Sequence, residues 1–402
     1  MKMRKVLLLL AAVMVIGTGV SAEEASLKPA AETEAVTEAA GEGGEAAAAG
    51  LSDDWADYQI QIDDQVYQFP MMYADFEAMG WTTDEAEELE LQPNEYSMIR
   101  FTKDDIKCTV YVLNLGMNNA MAEECIVGGM SIDNFDWELG IGTVTLPGGI
   151  ARGQSDVAAI EAAYGTPSDT YEGDLYTKLT YETDYNSSVE MSVYKESGVL
   201  EDIDVRNFVE PEGFDAGEVS EEVPEAVAAY TKPEALSENL EDFQMELDGQ
   251  VYTLPVPVSV LAADGWKIDE NDSDPQIKAG YFGWVTLRKG GQEIHEIAVN
   301  PESYATIPEN CWIEGLTAGG YTLDAEGVLP GGIHTGMAEA DFVKILDDAG
   351  MSYEVDDSSD SFKYYTYNEK EYDQCFEVTV YTADDGYFEK DTVMEVTCSN
   401  AF

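Results

Sequence analysis

The residues that most often do chemistry are scarce in this 402-residue chain. There are two histidines, His295 and His334, and five cysteines, Cys108, Cys125, Cys311, Cys375 and Cys398. So few imidazoles remove most histidine-based catalysis and most histidine-rich metal sites. No Cys-x-x-Cys motif is present, and the spacing places His295 on a strand at an alternating position, which argues against a thiol enzyme. No Gly-x-Ser-x-Gly elbow exposes a serine nucleophile. The Gly148-Gly149 and Gly331-Gly332 pairs lack the Lys-Ser/Thr that completes a phosphate-cradling loop, so they read as turns. Paired carboxylates at a set separation can cleave glycosides. With 81 Asp and Glu in the chain, no pair is marked by its context.

Two kinds of side chain remain as candidates. Acidic clusters could hold calcium, a hard cation that takes oxygen ligands. The best is Asp269, Asn271, Asp272 and Asp274, in the loop after Trp266; Asp356, Asp357 and Asp360, and Asp384 with Asp385, are others. None matches a twelve-residue loop with a central Gly and a closing Glu, and a solvated acidic loop is the competing reading. Aromatic residues could stack on a sugar or anchor a protein partner. Of the 23 tyrosines, Tyr176, Tyr181, Tyr364, Tyr365 and Tyr367 fall on expected strands. The Tyr364-Tyr365 pair puts one ring on each face of a strand. The competing reading is that tyrosine favours strands and covers half-buried sheet. Trp81 and Trp266, each following a glycine, are expected in the core.

Charge and composition narrow the setting. Twenty Lys and Arg against 81 Asp and Glu give a net charge of −61. That excludes a basic footprint for nucleic acid and docking on an anionic membrane surface. Three positive charges within residues 1–5, an apolar run from Val6 to Ile16 and a small-x-small close at Val20-Ser21-Ala22 predict a secretory leader over 1–22. Its removal leaves 17 basic residues against 81 acidic ones. No later stretch is apolar enough to span a membrane. Residues 23–50 are nearly all Ala, Glu, Gly and Thr and predict an acidic flexible tether. Residues 209–238 predict a second acidic linker, with a short helix near Glu225–Tyr230.

The elements that must position these side chains occur twice. Residues 58–81 align with 243–266, with nine of 24 positions identical, among them Gln65-Val66-Tyr67, Pro70, Gly80 and Trp81. At an offset of 186, Lys103, Asn114 and Cys125 meet Lys289, Asn300 and Cys311; further on, Leu146-Pro147-Gly148-Gly149-Ile150 meets Leu329-Pro330-Gly331-Gly332-Ile333. This predicts two tandem homologous domains, 51–208 and 239–402. Each opens with a hairpin, turned at Asp63-Asp64 or Asp248-Gly249. A short helix ended by Gly80 or Gly265 follows, then strands near 97–101 and 108–113. After the Leu-Pro-Gly-Gly-Ile turn, a helix near 155–164 carries Val157, Ile160 and Tyr164 on one face; Phe342, Ile345 and Leu346 match it. Three alternating strands close each copy. The class is α+β, short helices on antiparallel sheets.

This second-half pattern, Gly-x-Ser/Ala-x, a helix, Tyr-Gly-x-Pro and a three-strand meander, resembles the helix-plus-meander modules of β-lactamase inhibitory protein and of small outer-membrane-assembly lipoproteins. The resemblance covers about 60 residues per copy and implies a fold that binds proteins. The whole chain also resembles duplicated, acidic, exported proteins of anaerobic Gram-positive bacteria. The expectation is a non-enzymatic, extracytoplasmic binding protein without a required cofactor, whose partner is a protein or cell-envelope component. An inhibitor of an extracellular enzyme and a calcium-binding envelope protein are the alternatives.

Overall fold

Two-residue turns set the opening hairpins. Gln59–Ile62 pairs with Gln65–Gln68, and Gln244–Leu247 with Gln250–Thr253. In the second, Asp248 (φ 49°) and Gly249 (φ 74°) are both left-handed, the requirement of a tight hairpin turn whose twist matches its strands. Alternation then buries Ile60, Ile62 and Tyr67 in one hairpin, and Met245, Leu247 and Tyr252 in the other. Short helices follow at Tyr73–Ala78 and Val258–Ala263. Gly80 (φ 95°) and Gly265 (φ 97°) stop them in a conformation that disfavours any Cβ. The chain then turns Trp81 and Trp266 into the core, where neither is more than 1% exposed.

The computed structural model describes residues 50–104, 106–133, 142–320, 327–370 and 374–402. The expected leader, and the tether up to residue 49, lie outside the described residues. The fold is mixed and sheet-rich, with every strand pair inside its sheets antiparallel. One eight-stranded sheet runs Asp169–Glu172, Tyr176–Asp184, Ser187–Tyr194, Leu200–Asn207, Ile126–Ile132, Ile106–Leu113 and Tyr96–Lys103, with Met71–Met72 against Ile126–Ile132. Later in the chain there are two five-stranded sheets. The first is built on Phe282–Lys289 and Gln292–Val299 with the short strands Lys267–Ile268, Trp312–Ile313 and Val256–Pro257. The second is built on Gly315–Gly319, Thr392–Asn400, Gln374–Tyr381, Phe362–Tyr367 and Tyr353–Asp356.

Helices Val157–Tyr164 and Glu339–Ala349 bury Ile160, and Phe342 with Leu346, in the cores. The Leu-Pro-Gly-Gly-Ile segments form tight turns in which both glycines are left-handed. At Gly331 a Cβ would also lie 2.5 Å from Leu240 Cδ2. One hydrophobic cluster gathers buried residues from Tyr58 to Val205, a second those from Leu240 to Cys398. Cys108, Cys125, Cys311 and Cys398 are buried with free thiols.

Residues 209–238, expected as a loose linker, run as a hydrogen-bonded strap. Met117 N–H donates to Ala216 O and Asn118 Nδ2 to Glu218 O. Ser220 N–H donates to Ala305 O, Asn310 Nδ2 to Glu222 O and Tyr230 OH to Thr253 O. The acidic side chains face outward while the main chain is held, which composition does not register. The expected short helix is present at Glu225–Ala229.

Candidate functional site

Alternation along Phe282–Lys289 and Gln292–Val299 sorts the side chains of this hairpin onto two faces. Val285 and Leu287, with Ile294 and Ala298, are buried. Phe282, Trp284 and Ile297 point the other way and are 56%, 48% and 38% exposed. Trp284 sits directly across from Ile297, and Phe282 from Val299. The Trp284 ring stacks on His295 with centroids 5.0 Å apart and planes 11° from parallel. His295 Nδ1 lies 2.7 Å from Thr286 Oγ1, which fixes the imidazole beside the indole. Val299 in turn pairs with Trp312, whose ring is 5.5 Å from the exposed Phe402 ring. The apolar row therefore continues across the sheet.

The acidic loop that the sequence offers for calcium forms one border of this face. Trp284 N–H donates to Asp274 Oδ2 at 2.7 Å, and Gly283 permits the approach, since a Cβ there would lie 2.9 Å from that oxygen. Asp269 Oδ2 accepts from Arg288 Nε at 2.7 Å, and its Oδ1 from Asn271 N–H at 3.1 Å. Asp272 Oδ2 is 3.6 Å from Arg288 Nη2 and accepts from Thr286 Oγ1, and Glu293 also pairs with Arg288. The hydrogen bond from Arg288 holds the Asp269 carboxyl below the usual carboxylate range. Asp269, Asp272 and Asp274 thus turn oxygens to a guanidinium, a hydroxyl and main-chain N–H groups, and Asn271 donates to Asp269. Among the described residues, no three His, Cys, Asp or Glu side chains gather so as to hold a metal ion.

The tyrosines singled out by sequence lie elsewhere, and three of the five are core residues. Tyr181 is 2% exposed and donates to Gly165 O; Tyr365 is 5% exposed and donates to Glu339. Tyr367 is buried against Phe376, with ring centroids 5.0 Å apart. They sit on the sheet faces that pack on the helices, so they cannot meet a partner. Tyr176 and Tyr364 take the other face and are half-buried, Tyr176 in a row with Tyr171 and Tyr194, Tyr364 beside Phe362. The aromatic pair that is offered to solvent, Phe282 and Trp284, was not among the sequence candidates. Its signal was legible: aromatic residues alternating with Gly283 and Val285 on a strand whose other face is the apolar one.

The same register appears earlier in the chain. Tyr96 and Met98, 52% and 53% exposed, sit across from Leu113 and Tyr111. The rings of Tyr96, Tyr111 and Phe208 lie 5.4–6.1 Å apart. Arg206 covers Tyr111 at 5.0 Å, and its Nε is 2.7 Å from Asp204 Oδ1. Asp204 also accepts from Tyr111 OH. Burial pushes the Asp204 carboxyl up, against the pull of Arg206.

No family model matches the chain, and comparison with curated proteins and with solved structures found no match.

Proposed function

We propose that the chain is an exported, non-enzymatic binding protein, built of two tandem copies of one α+β domain and acting at or outside the cell envelope. The observation that carries this reading is the exposed row of Phe282, Trp284 and Ile297 on one face of a fully paired hairpin. Monomeric proteins rarely leave contiguous large apolar side chains in water without a use, and tryptophan is enriched where binding energy concentrates. The leader-like first 22 residues support export. The aligned sequences and the equal pairing registers of the two long hairpins support the duplication. Two similar faces in one chain raise avidity for a repeated partner.

The test is capture of a partner from the producer's own extracellular proteins, with the chain from Glu23 as bait. A Phe282→Ser/Trp284→Ser bait and an unrelated protein of similar negative charge serve as controls. A partner retained by the wild-type bait alone supports the reading. Equal retention by the double variant removes this face from the function.

A further inference from the structure

The earlier aromatic face carries its own cation. The Arg206 guanidinium lies over Tyr111, beside Tyr96 and Phe208, and Asp204 holds it there. At the same register the later face has Trp284 in place of Met98 and Ile297 in place of Tyr111. Among the described residues, no ammonium or guanidinium lies over the Trp284 or Phe282 ring. Arg288, on the same strand and the same face, is turned to Asp269, Asp272 and Glu293. The surroundings are nonetheless built for positive charge. Asp274 and Asp272 border the Trp284–His295 stack, and the whole chain carries a net −61.

We infer that the Phe282–Trp284–Ile297 face receives a basic, partly apolar protein segment, whose Lys or Arg side chain lies over the Trp284 ring as Arg206 lies over Tyr111. This rests on the binding reading and narrows its partner. An aromatic face attracts a cation through its quadrupole, and nearby carboxylates add to that attraction as water is excluded. A free metal ion or small cation would leave Phe282 and Ile297 uncovered. A sugar would need polar groups beside the ring. Thr286 Oγ1 and Asp274 Oδ2 are engaged with His295 and with the Trp284 N–H, and the row itself, Phe282 and Ile297, offers a sugar no side-chain hydrogen bond. A segment alternating basic and apolar side chains meets both requirements.

The experiment uses the whole chain from Glu23 and calorimetric titration with a synthetic peptide of alternating Lys and Leu. Peptides of alternating Glu and Leu, an oligolysine and a β-linked oligosaccharide are run beside it. Salt is set at about 0.5 M, where screening cuts the general attraction of an acidic protein for any polycation to a few ångströms. Three variants at exposed positions are compared: Trp284→Ala, Ile297→Lys and Ile297→Glu, each first shown to melt as the wild type does. The two Ile297 variants lose the same apolar contact and differ chiefly in sign of charge. The expected result is binding of the Lys-Leu peptide, weakened about tenfold by Trp284→Ala. The Ile297→Lys variant should bind about tenfold more weakly than Ile297→Glu. Equal binding by the two Ile297 variants overturns the inference. So does failure of the Lys-Leu peptide to bind, or equal affinity for the Glu-Leu peptide or the oligosaccharide. A captured partner that is lost from the Phe282→Ser/Trp284→Ser bait but held equally by both Ile297 variants would keep the binding reading and remove the cation.

Discussion

The side-chain carboxylate of Glu296, on Gln292–Val299, is largely buried beside the main-chain N–H of Thr317, on Gly315–Gly319. Earlier in the chain, Thr109 meets Ser131, Val110 meets Met130 and, past a bulge, Val112 meets Val127, all within one sheet. In the second half, only Ala298 and Val299 pair with Ile313 and Trp312. The chain then leaves to pair Gly315–Gly319 with Thr392–Asn400. The Glu296 carboxylate thus lies at the seam where the chain passes from one five-stranded sheet to the other.

That position has a pH dependence. Burial pushes the Glu296 carboxyl up to about 7, with the Thr317 N–H pulling only partly against it. A carboxyl whose folded pKa lies above its unfolded value favours the folded state when protonated. Its contribution is complete below the ordinary glutamate range and is lost as pH rises through about 7. Each pH unit in that window is worth about 1.4 kcal/mol, so the loss at pH 8 is of order 3 kcal/mol. Glu296→Gln should therefore be more stable than wild type at pH 8 and nearly equal to it at pH 4.5. Urea unfolding of both proteins at the two pH values measures this; equal differences at both would show that the group does not titrate in the seam.

Asn114 and Asn300 are expected to be among the most costly polar residues to remove. Asn114 Nδ2 donates to Leu91 O and Asn118 O, and its Oδ1 accepts from Gly116 N–H. Asn300 Nδ2 likewise reaches Ile277 O and Tyr304 O, and its Oδ1 accepts from Glu302 N–H. The loops they shape meet each other, with Asn119 N–H on Ser303 O and Ala305 N–H on Asn118 Oδ1. Alanine at either position strands buried carbonyls and an N–H, at about 2–4 kcal/mol. Chemical denaturation should show both single losses, and less than their sum in the double variant, because they share one interface.

Replacement of the sheet tyrosines should separate packing from surface. Tyr365→Ser and Tyr367→Ser each empty a core site and should cost about 3–5 kcal/mol. Tyr364→Ser, on the half-buried face, should cost less than about 1 kcal/mol. Melting curves of the three variants decide it; comparable losses would mean that Tyr364 is also packed.

Arg288 is expected to stand in for a cation in the acidic loop. Its removal in Arg288→Ala leaves Asp269, Asp272 and Glu293 without their shared partner. The variant should melt slightly below wild type, and about 1 mM calcium at constant ionic strength should move neither melting temperature, because among the described residues no three carboxylates gather to hold the ion. A calcium shift in the wild type would show that the loop accepts the ion with the guanidinium in place.

The sequence by itself determined what short-range chemistry dictates. A two-residue Asp-Gly turn requires two left-handed residues, and Asp248-Gly249 supplies them. A left-handed glycine stops each short helix, and the tryptophan after it is buried. Alternation also located the long strands to within a few residues. Edge strands Asp169–Glu172 and Tyr353–Asp356 escaped because their side chains are largely exposed and give no apolar rhythm. Tertiary structure alone decided the rest. Period-two alternation says that Tyr364 and Tyr365 face opposite ways, but only the packed helix Glu339–Ala349 makes the Tyr365 side the inside. Composition marks Asp269 to Asp274 as acidic, but only the fold brings Arg288 into them and Trp284 beside them. Charge pairing and exposure depend on which strands become neighbours, and that depends on contacts between residues far apart in the chain.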